Sequence, residues 1–281
     1  MGTRYDLGTY FGRLQHFIGM TDPSTLLSSN TTVQEAQTIL NNYQKTGVMC
    51  GSDGDMWGYR KLTDAAIHPA SNEIIPRMFR VSAIAPVNIP IVFLMLQCPA
   101  SNVRGTLFLH WLNQSYNTAC NYANRSGAEQ SFSQTATAYV LAVGSACSFA
   151  YGLGRLPFAA RYGPVIPLAA TAAANVSNLG FTRSSEITVG APVRDHEGTV
   201  RGISKAAGTQ GVVQTALTRC VLVPAACLML PPLTMSVLKG RHWLPRSGAA
   251  IVAVELAVIY GSLQAAMPAA LAVFPQVSEI I

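Results

Sequence analysis

Charge is what this sequence has least of. Charged residues make up 11% of its 281 positions, where an average soluble domain carries about 25%. That is too little to coat a globule of this size, and with 49% hydrophobic residues a lipid-facing surface is the natural reading. Paired cysteines are missing too. Cys50, Cys98, Cys120, Cys147, Cys220 and Cys227 form no CxxC and no Cys/His cluster with metal spacing, so neither a disulfide framework nor a zinc site is expected. Four of them lie in apolar stretches, where cysteine behaves as a small hydrophobe. There is no P-loop, no GxGxxG ahead of a helix, no nucleophile–base pair and no pair of carboxylates. The sequence therefore reads as non-enzymatic, with no cofactor, no metal and no nucleic-acid partner. The content of Gly 23 and Pro 16 excludes a simple coiled coil, and no segment is polar enough for a long disordered tail.

The scarce charge is unevenly spread. Residues 1–80 hold seven basic and seven acidic side chains, while residues 81–281 hold the other twelve basic and six acidic, so the whole net charge of +6 sits in the second part. A polar helical region over 1–80 followed by a membrane bundle over 81–281 is the division this predicts. The first residues lack a secretory h-region and do not form an Arg/Ser-rich, acid-poor transit helix. Asp6 breaks the myristoylation pattern. Insertion is expected to depend on internal signals. The sequons at Asn30, Asn113, Asn124 and Asn175 read as accidental, three of them lying in or beside apolar segments.

A spanning helix needs about 20 mostly apolar residues, because each adds 1.5 Å across some 30 Å of hydrocarbon. Charge-free runs mark the candidates: 81–103, 105–124, 130–154, 162–182, 220–238 and 247–278, the last interrupted only by Glu255. The last four are rich in Ala, Val, Leu and Gly. The first contains Pro86, Pro90 and Pro99 and reads as a broken or partly interfacial helix, and the second is dense in amides. The expected fold is all-α, a polytopic integral membrane protein with five spans, or six. Prolines recur within the runs, at Pro86, Pro90, Pro164, Pro167, Pro224, Pro231, Pro232 and Pro268. Each removes a backbone hydrogen bond. As a set they fit either the discontinuous helices of a transport pathway or simple kinks, which membrane helices tolerate. The basic loops 183–219 and 239–246 lie on opposite sides of the span between them, so charge does not choose an orientation.

The sharpest signal lies in 110–124. At about 100° per residue, with His110 at zero, Asn113, Asn117, Asn121 and Asn124 fall at roughly 300°, 340°, 20° and 320°. All five share an arc of about 80°, with Phe108, Leu112, Tyr116, Ala119 and Ala123 on the far side. A charge-free helix thus carries a stripe of amides. Each amide offers two donors and an acceptor, suited to a small zwitterion. The alternative is glue between helices, worth about 1 kcal/mol per amide. Asn175 and Asn178 share a face after a run of alanines and fit packing better than binding, while Asn88 lies between two prolines and fits a pocket better than an Asn in regular helix would. Glu255 is the one acid in a strongly apolar run. It reads as an ion or proton site, as the partner of a cation such as Arg219, or as a snorkelling side chain. His68-Pro69 precedes the first apolar run, and a lone histidine in a polar region is ordinarily a structural hydrogen-bonder. Arg125, Arg155 and Arg161 flank spans, as interfacial anchors do.

These residues also resemble a known family. Arg4-Tyr5-Asp6-Leu7, Thr9 to Arg13, His16-Phe17, Thr21-Asp22-Pro23, Ala66-Ile67-His68-Pro69, Arg80-Val81-Ser82-Ala83, Pro86-Val87-Asn88, Asn113 to Asn117, Asn121 to Arg125, Ala172 to Asn175, Glu186, Gly190 to Val193 and Phe274-Pro275-Gln276 follow one another in the order and spacing of the sideroflexins. These are multi-pass proteins of the mitochondrial inner membrane, and the resemblance runs nearly end to end. It implies transport of small neutral amino acids, serine first, across that membrane, with a small polar amino acid and the lipid bilayer as partners. Two departures stand out. The family's His-Pro-Asp-Thr reads His68-Pro69-Ala70-Ser71, losing a carboxylate, and Glu255 stands where members are generally apolar. They admit an accessory or assembly subunit of a respiratory-chain complex as the alternative. Tricarboxylate transport is a lesser one, because the runs contain almost no Arg or Lys to meet it. The family supplies no substrate site residue by residue, so the amide stripe rests on this sequence alone.

Overall fold

The structure is a computed structural model that describes residues 3–68, 71–98, 102–124, 132–153, 175–177, 179–181, 183–195 and 199–275. The run 162–182 lies outside these apart from two short helical stretches, as do Pro69, Ala70, Pro99, Arg125, Arg155, Arg161 and Asn178, and the side chain of Asn121 is not described either. What is described is mostly helical.

Helices α1 (Tyr10–Met20), α2 (Asn30–Thr46) and α3 (Asp53–Ala66) make up the N-terminal part. Each starts on a side chain that accepts an orphan N–H of the first turn: Thr9 for α1, Ser29 for α2 and Ser52 for α3, where Asp55 closes a capping box. Gly47 ends α2 with φ 71°, the left-handed conformation glycine takes without strain. The apolar residues of α2 and α3 recur at helical spacing, and Val33 and Ala36 pack against Leu62, Ala66 and Ile67.

Arg80 lies behind this core with none of its surface exposed. Its Nε donates to Ile75 O at 3.0 Å, Nη1 to Thr25 O at 3.4 Å and Nη2 to Asn30 Oδ1 at 3.5 Å. Burial, and after it the charge of Arg77, lower the Arg80 pKa. The guanidinium nevertheless stays charged at any ordinary pH, so neutral oxygens do the work a carboxylate would otherwise do.

Two short 3-10 turns, Arg77–Phe79 and Val81–Ala83, lead into α4 (Ile84–Gln97). It is followed by α5 (Val103–Ala123) and α6 (Phe132–Leu153). The expected break in the 81–103 run does not occur at Pro86 or Pro90, and α4 ends at Gln97, two residues before Pro99. Pro86 sits in the first turn of α4, where its missing N–H costs nothing, and the helix continues through Pro90 to Gln97.

Residues 183–219 were expected to form a hydrophilic loop, and the structure orders them. A short helix α7 (Ser184–Thr188) is followed by the antiparallel strands β1 (Ala191–Arg194) and β2 (Val200–Ser204), so the fold is not purely α. Gly190 takes φ 115° ahead of β1. Ser204 then caps α8 (Lys205–Thr215). Gly208 lets α7 approach: a Cβ there would sit 1.8 Å from the Glu186 carbonyl oxygen. Arg183 grips Glu186 through two nitrogens and Thr215 Oγ1 through a third, at 2.8 Å. This pairing hides charge that looked solvent-bound in sequence.

From α8 the chain runs without interruption through a π-helical turn, Ala216–Leu222, into α9 (Val223–Gly240). Pro224 has no N–H to close the preceding α turn, and a π turn absorbs such a mismatch. After a brief link comes α10 (Gly248–Leu271), which packs along α9. Two described helices are long and apolar enough to cross a bilayer, Lys205–Gly240 and Gly248–Leu271, while Val81–Met95 is apolar but shorter. Because 36 residues rise about 54 Å, the first helix is longer than the roughly 30 Å of hydrocarbon that a span crosses.

The N-terminal part is fastened to the end of α10. Arg13 is buried, and its Nε donates to Ala272 O at 2.8 Å while Nη1 donates to Leu7 O and Gly8 O. A cation on the last carbonyls of a helix also meets its dipole. Tyr10 Oη donates to Ala269 O at 3.3 Å and Gln264 Nε2 to Thr21 O at 2.8 Å.

Candidate functional site

The residues singled out in sequence fall into three groups. His68, Asn88 and Glu255 lie on different elements, after α3, in α4 and in α10. His68 is buried, its Nδ1 accepts the Ser71 N–H at 3.2 Å, and its backbone pairs with Asn72 and Glu73 in a turn where Asn72 has φ 57°. It holds a turn closed. Glu255 is half-buried on α10, and no ion pair joins it to Arg219 among the described residues. The hairpin explains why. Counting back from its link, Glu255 lies level with a residue near 233 on α9, about 21 Å along the axis from Arg219. Asn88 is half-buried and donates from Nδ2 to Ile84 O at 2.7 Å. It is tied to its own helix one turn back instead of to a break.

Asn124 and Asn175 form the second group. Asn124 Nδ2 donates to Phe79 O and to Cys120 O, both at 2.7 Å. It fastens the end of α5 to the turn before α4, which is the packing use of an amide. Asn175 is half-buried in a short helical stretch.

The third group is the amide face of α5. This helix can be oriented by what it touches. Tyr116 and Cys120, at roughly 240° and 280° on the wheel, are buried with Ile91 and packed by Phe79, Ile84, Val87 and Met95. Tyr116 Oη donates to Ala83 O at 3.2 Å. Trp111, Tyr122 and Phe108, at roughly 100°, 120° and 160°, are exposed, and Ser115 on that side meets Tyr139 Oη of α6 at 2.9 Å. The arc holding His110, Asn113 and Asn117 therefore begins where the α4 contact ends and lies away from the exposed aromatics. All three are half-buried, and none makes a side-chain hydrogen bond among the described residues.

Sequence reasoning passed over one residue of this face. Gln114 falls at roughly 40°, at the edge of the arc, between His110 four residues before it and Asn117 three after. It is 3% exposed, and its Oε1 is buried without a hydrogen-bond partner among the described residues. The signal was present, since the wheel that collected the asparagines includes Gln114 once its arc is widened by about 20°. No group of three His, Cys, Asp or Glu side chains able to hold a metal occurs among the described residues.

The chain matches the family model described as sideroflexins over residues 2–281. The chain belongs to the sideroflexin family. Among curated sideroflexins it is 34% identical to "Sideroflexin" of Dictyostelium discoideum, the alignment covering 100% of this chain and 88% of that protein. It is 35% identical to "Sideroflexin-5" of Homo sapiens, with 99% and 84% covered, and 35% identical to "Sideroflexin-3" of Homo sapiens, with 99% and 87% covered. No solved structure matches the chain.

Proposed function

We propose that this sideroflexin is a carrier of the mitochondrial inner membrane that moves small neutral amino acids, serine first. In this reading residues 1–80 form the polar helical region and 81–281 the membrane bundle of five or six spans. The observation that supports it most is the amide face of α5, half-buried and free of charge, with one buried acceptor among its donors. Such a face replaces water around a zwitterion without burying a fixed charge of its own. The reading assigns no catalytic step.

Tricarboxylate transport is less well supported. Within α4, α5 and α6 the one cation is Arg104, exposed and at roughly 120° on the wheel, on the aromatic side of α5. A non-transporting subunit of a respiratory-chain complex is favoured by a different observation, the Ala70 that replaces the acid of the family's His-Pro-Asp-Thr. Uptake of labelled serine by purified protein in liposomes separates these readings. Saturable uptake that alanine blocks and citrate does not is the expected result. No uptake above empty liposomes by folded protein, together with co-purification at fixed stoichiometry with a respiratory complex, would move the assignment to the subunit.

A further inference from the structure

We infer that Gln114 is the substrate's ammonium acceptor: its buried Oε1, flanked by His110 and Asn117 on α5, takes a hydrogen bond from the α-amino group of the amino acid. This assignment rests on the carrier reading and adds the part of the substrate that is recognised and the atom that recognises it. A buried acceptor left without a donor costs about 1–3 kcal/mol, so a fold keeps one where something intermittently supplies the donor. The neighbourhood narrows that donor. Residues three and four apart on a helix are neighbours, which puts His110 and Asn117 beside Gln114, and both are half-buried without a side-chain hydrogen bond among the described residues. Asparagine offers two N–H donors, enough to meet a carboxylate. An ammonium beside it needs oxygen acceptors. No Asp or Glu occurs anywhere in α4, α5 or α6, so these three helices can meet the cation only with neutral oxygens, and Gln114 Oε1 is the buried one left open among the described residues. The protein itself already uses this device: Arg80, a fully buried cation, is held by the carbonyls of Ile75 and Thr25 and by the amide oxygen of Asn30.

Ammonium recognition predicts a coupling between the residue and one substrate group. In liposomes carrying the full-length protein, labelled serine is the substrate and 3-hydroxypropionate, which is serine without its amine, is the competitor. Gln114→Met keeps the length and bulk of the side chain and removes the strong acceptor. It should raise the serine KM tenfold to a hundredfold, the size that loss of a charge-assisted hydrogen bond gives, and leave the inhibition constant of 3-hydroxypropionate within about twofold. Gln114→Glu keeps an oxygen at the same place and should discriminate serine from 3-hydroxypropionate at least as well as the wild type does. A Met variant with an unchanged serine KM, or one that loses serine and 3-hydroxypropionate equally, overturns the assignment and makes Gln114 a packing residue. If the Met variant fails to insert, loss of discrimination by the Glu variant overturns it. Absence of serine uptake by folded wild-type protein defeats the carrier reading and this assignment with it. Wild-type uptake that is indifferent to Gln114 defeats the assignment alone.

Discussion

Two helix pairs in this chain solve opposite problems. In α2–α3, Val33, Ala36, Leu62 and Ala66 are buried against each other, while Gln34, Glu35 and Thr38 face outward. In α9–α10, Met229, Leu230, Leu233 and Val237 are exposed, and Ser262 is among the residues buried. The first pattern suits water, where removing apolar area from solvent drives packing. The second suits hydrocarbon, where apolar surface gains nothing by hiding and helices meet through small and polar residues. The same contrast governs the rare charges. Near α2–α3 a buried cation is surrounded by oxygens. Within α9–α10 the exposed face over 223–238 carries no charge at all.

Substitutions can break this contrast from either side. The largest effect is expected at Arg80. Arg80→Met leaves the carbonyls of Ile75 and Thr25 buried without a donor, at about 1–3 kcal/mol each. The N-terminal part should lose its protease protection while α9 and α10 remain inserted. Next comes Leu233→Arg on the exposed face of α9, expected to cost about 2.5–3.5 kcal/mol of membrane insertion. Gln34→Arg, equally exposed but on α2, should stay within about 0.5 kcal/mol of the wild type. An insertion assay run on both would abolish the distinction between the two surfaces if the costs came out equal.

Asn117 and Asn124 carry the contrast into α5. Asn124→Leu breaks two hydrogen bonds and should lower abundance, at about 1–2 kcal/mol for the lost bonds. Asn117→Leu should abolish serine uptake with abundance unchanged, and matched losses at both positions would make the whole face glue. Among substitutions that remove an interaction, the smallest effect is expected at Asp22, ion-paired with Lys61 in a partly exposed site. Partial burial alone would raise the Asp22 pKa, but Lys61 and Ser24 overturn that and hold it below its ordinary value. The stabilisation is therefore complete above about pH 4 and disappears as the pH falls through the lowered value of the folded state. Asp22→Asn should cost under about 1 kcal/mol at neutral pH, and in acid its melting curve should converge on that of the wild type.

Much of this was open to reading along the chain. The apolar character of 220–238 and 247–278 and the shared face of the α5 amides follow from local spacing. Three things did not. The hydrophilic look of 183–219 concealed a hairpin and the start of a long helix, because the local Arg183–Glu186 pair gains its contact with Thr215 Oγ1 only once α7 lies on α8. Asn124 looked like a pocket residue, yet it also spends its amide on Phe79 O, a carbonyl 45 residues away that the sequence does not reveal as near. Glu255 and Arg219 looked like partners, and the pairing of α9 with α10 sets them apart along the axis.

Composition and periodicity by themselves determined that this is a mostly helical membrane protein, which side of α5 carries its amides, and that 220–238 and 247–278 are apolar enough to cross a bilayer. Each of these depends only on residue type and on the fixed geometry of one helix. Tertiary structure decided which amides are already engaged, that Arg13 closes the end of α10 some 260 residues later, and that Gln114 is the side-chain acceptor left buried and open among the described residues. A hydrogen bond depends on the position of its partner, and only the fold brings distant carbonyls and side chains within 3 Å or so of one another.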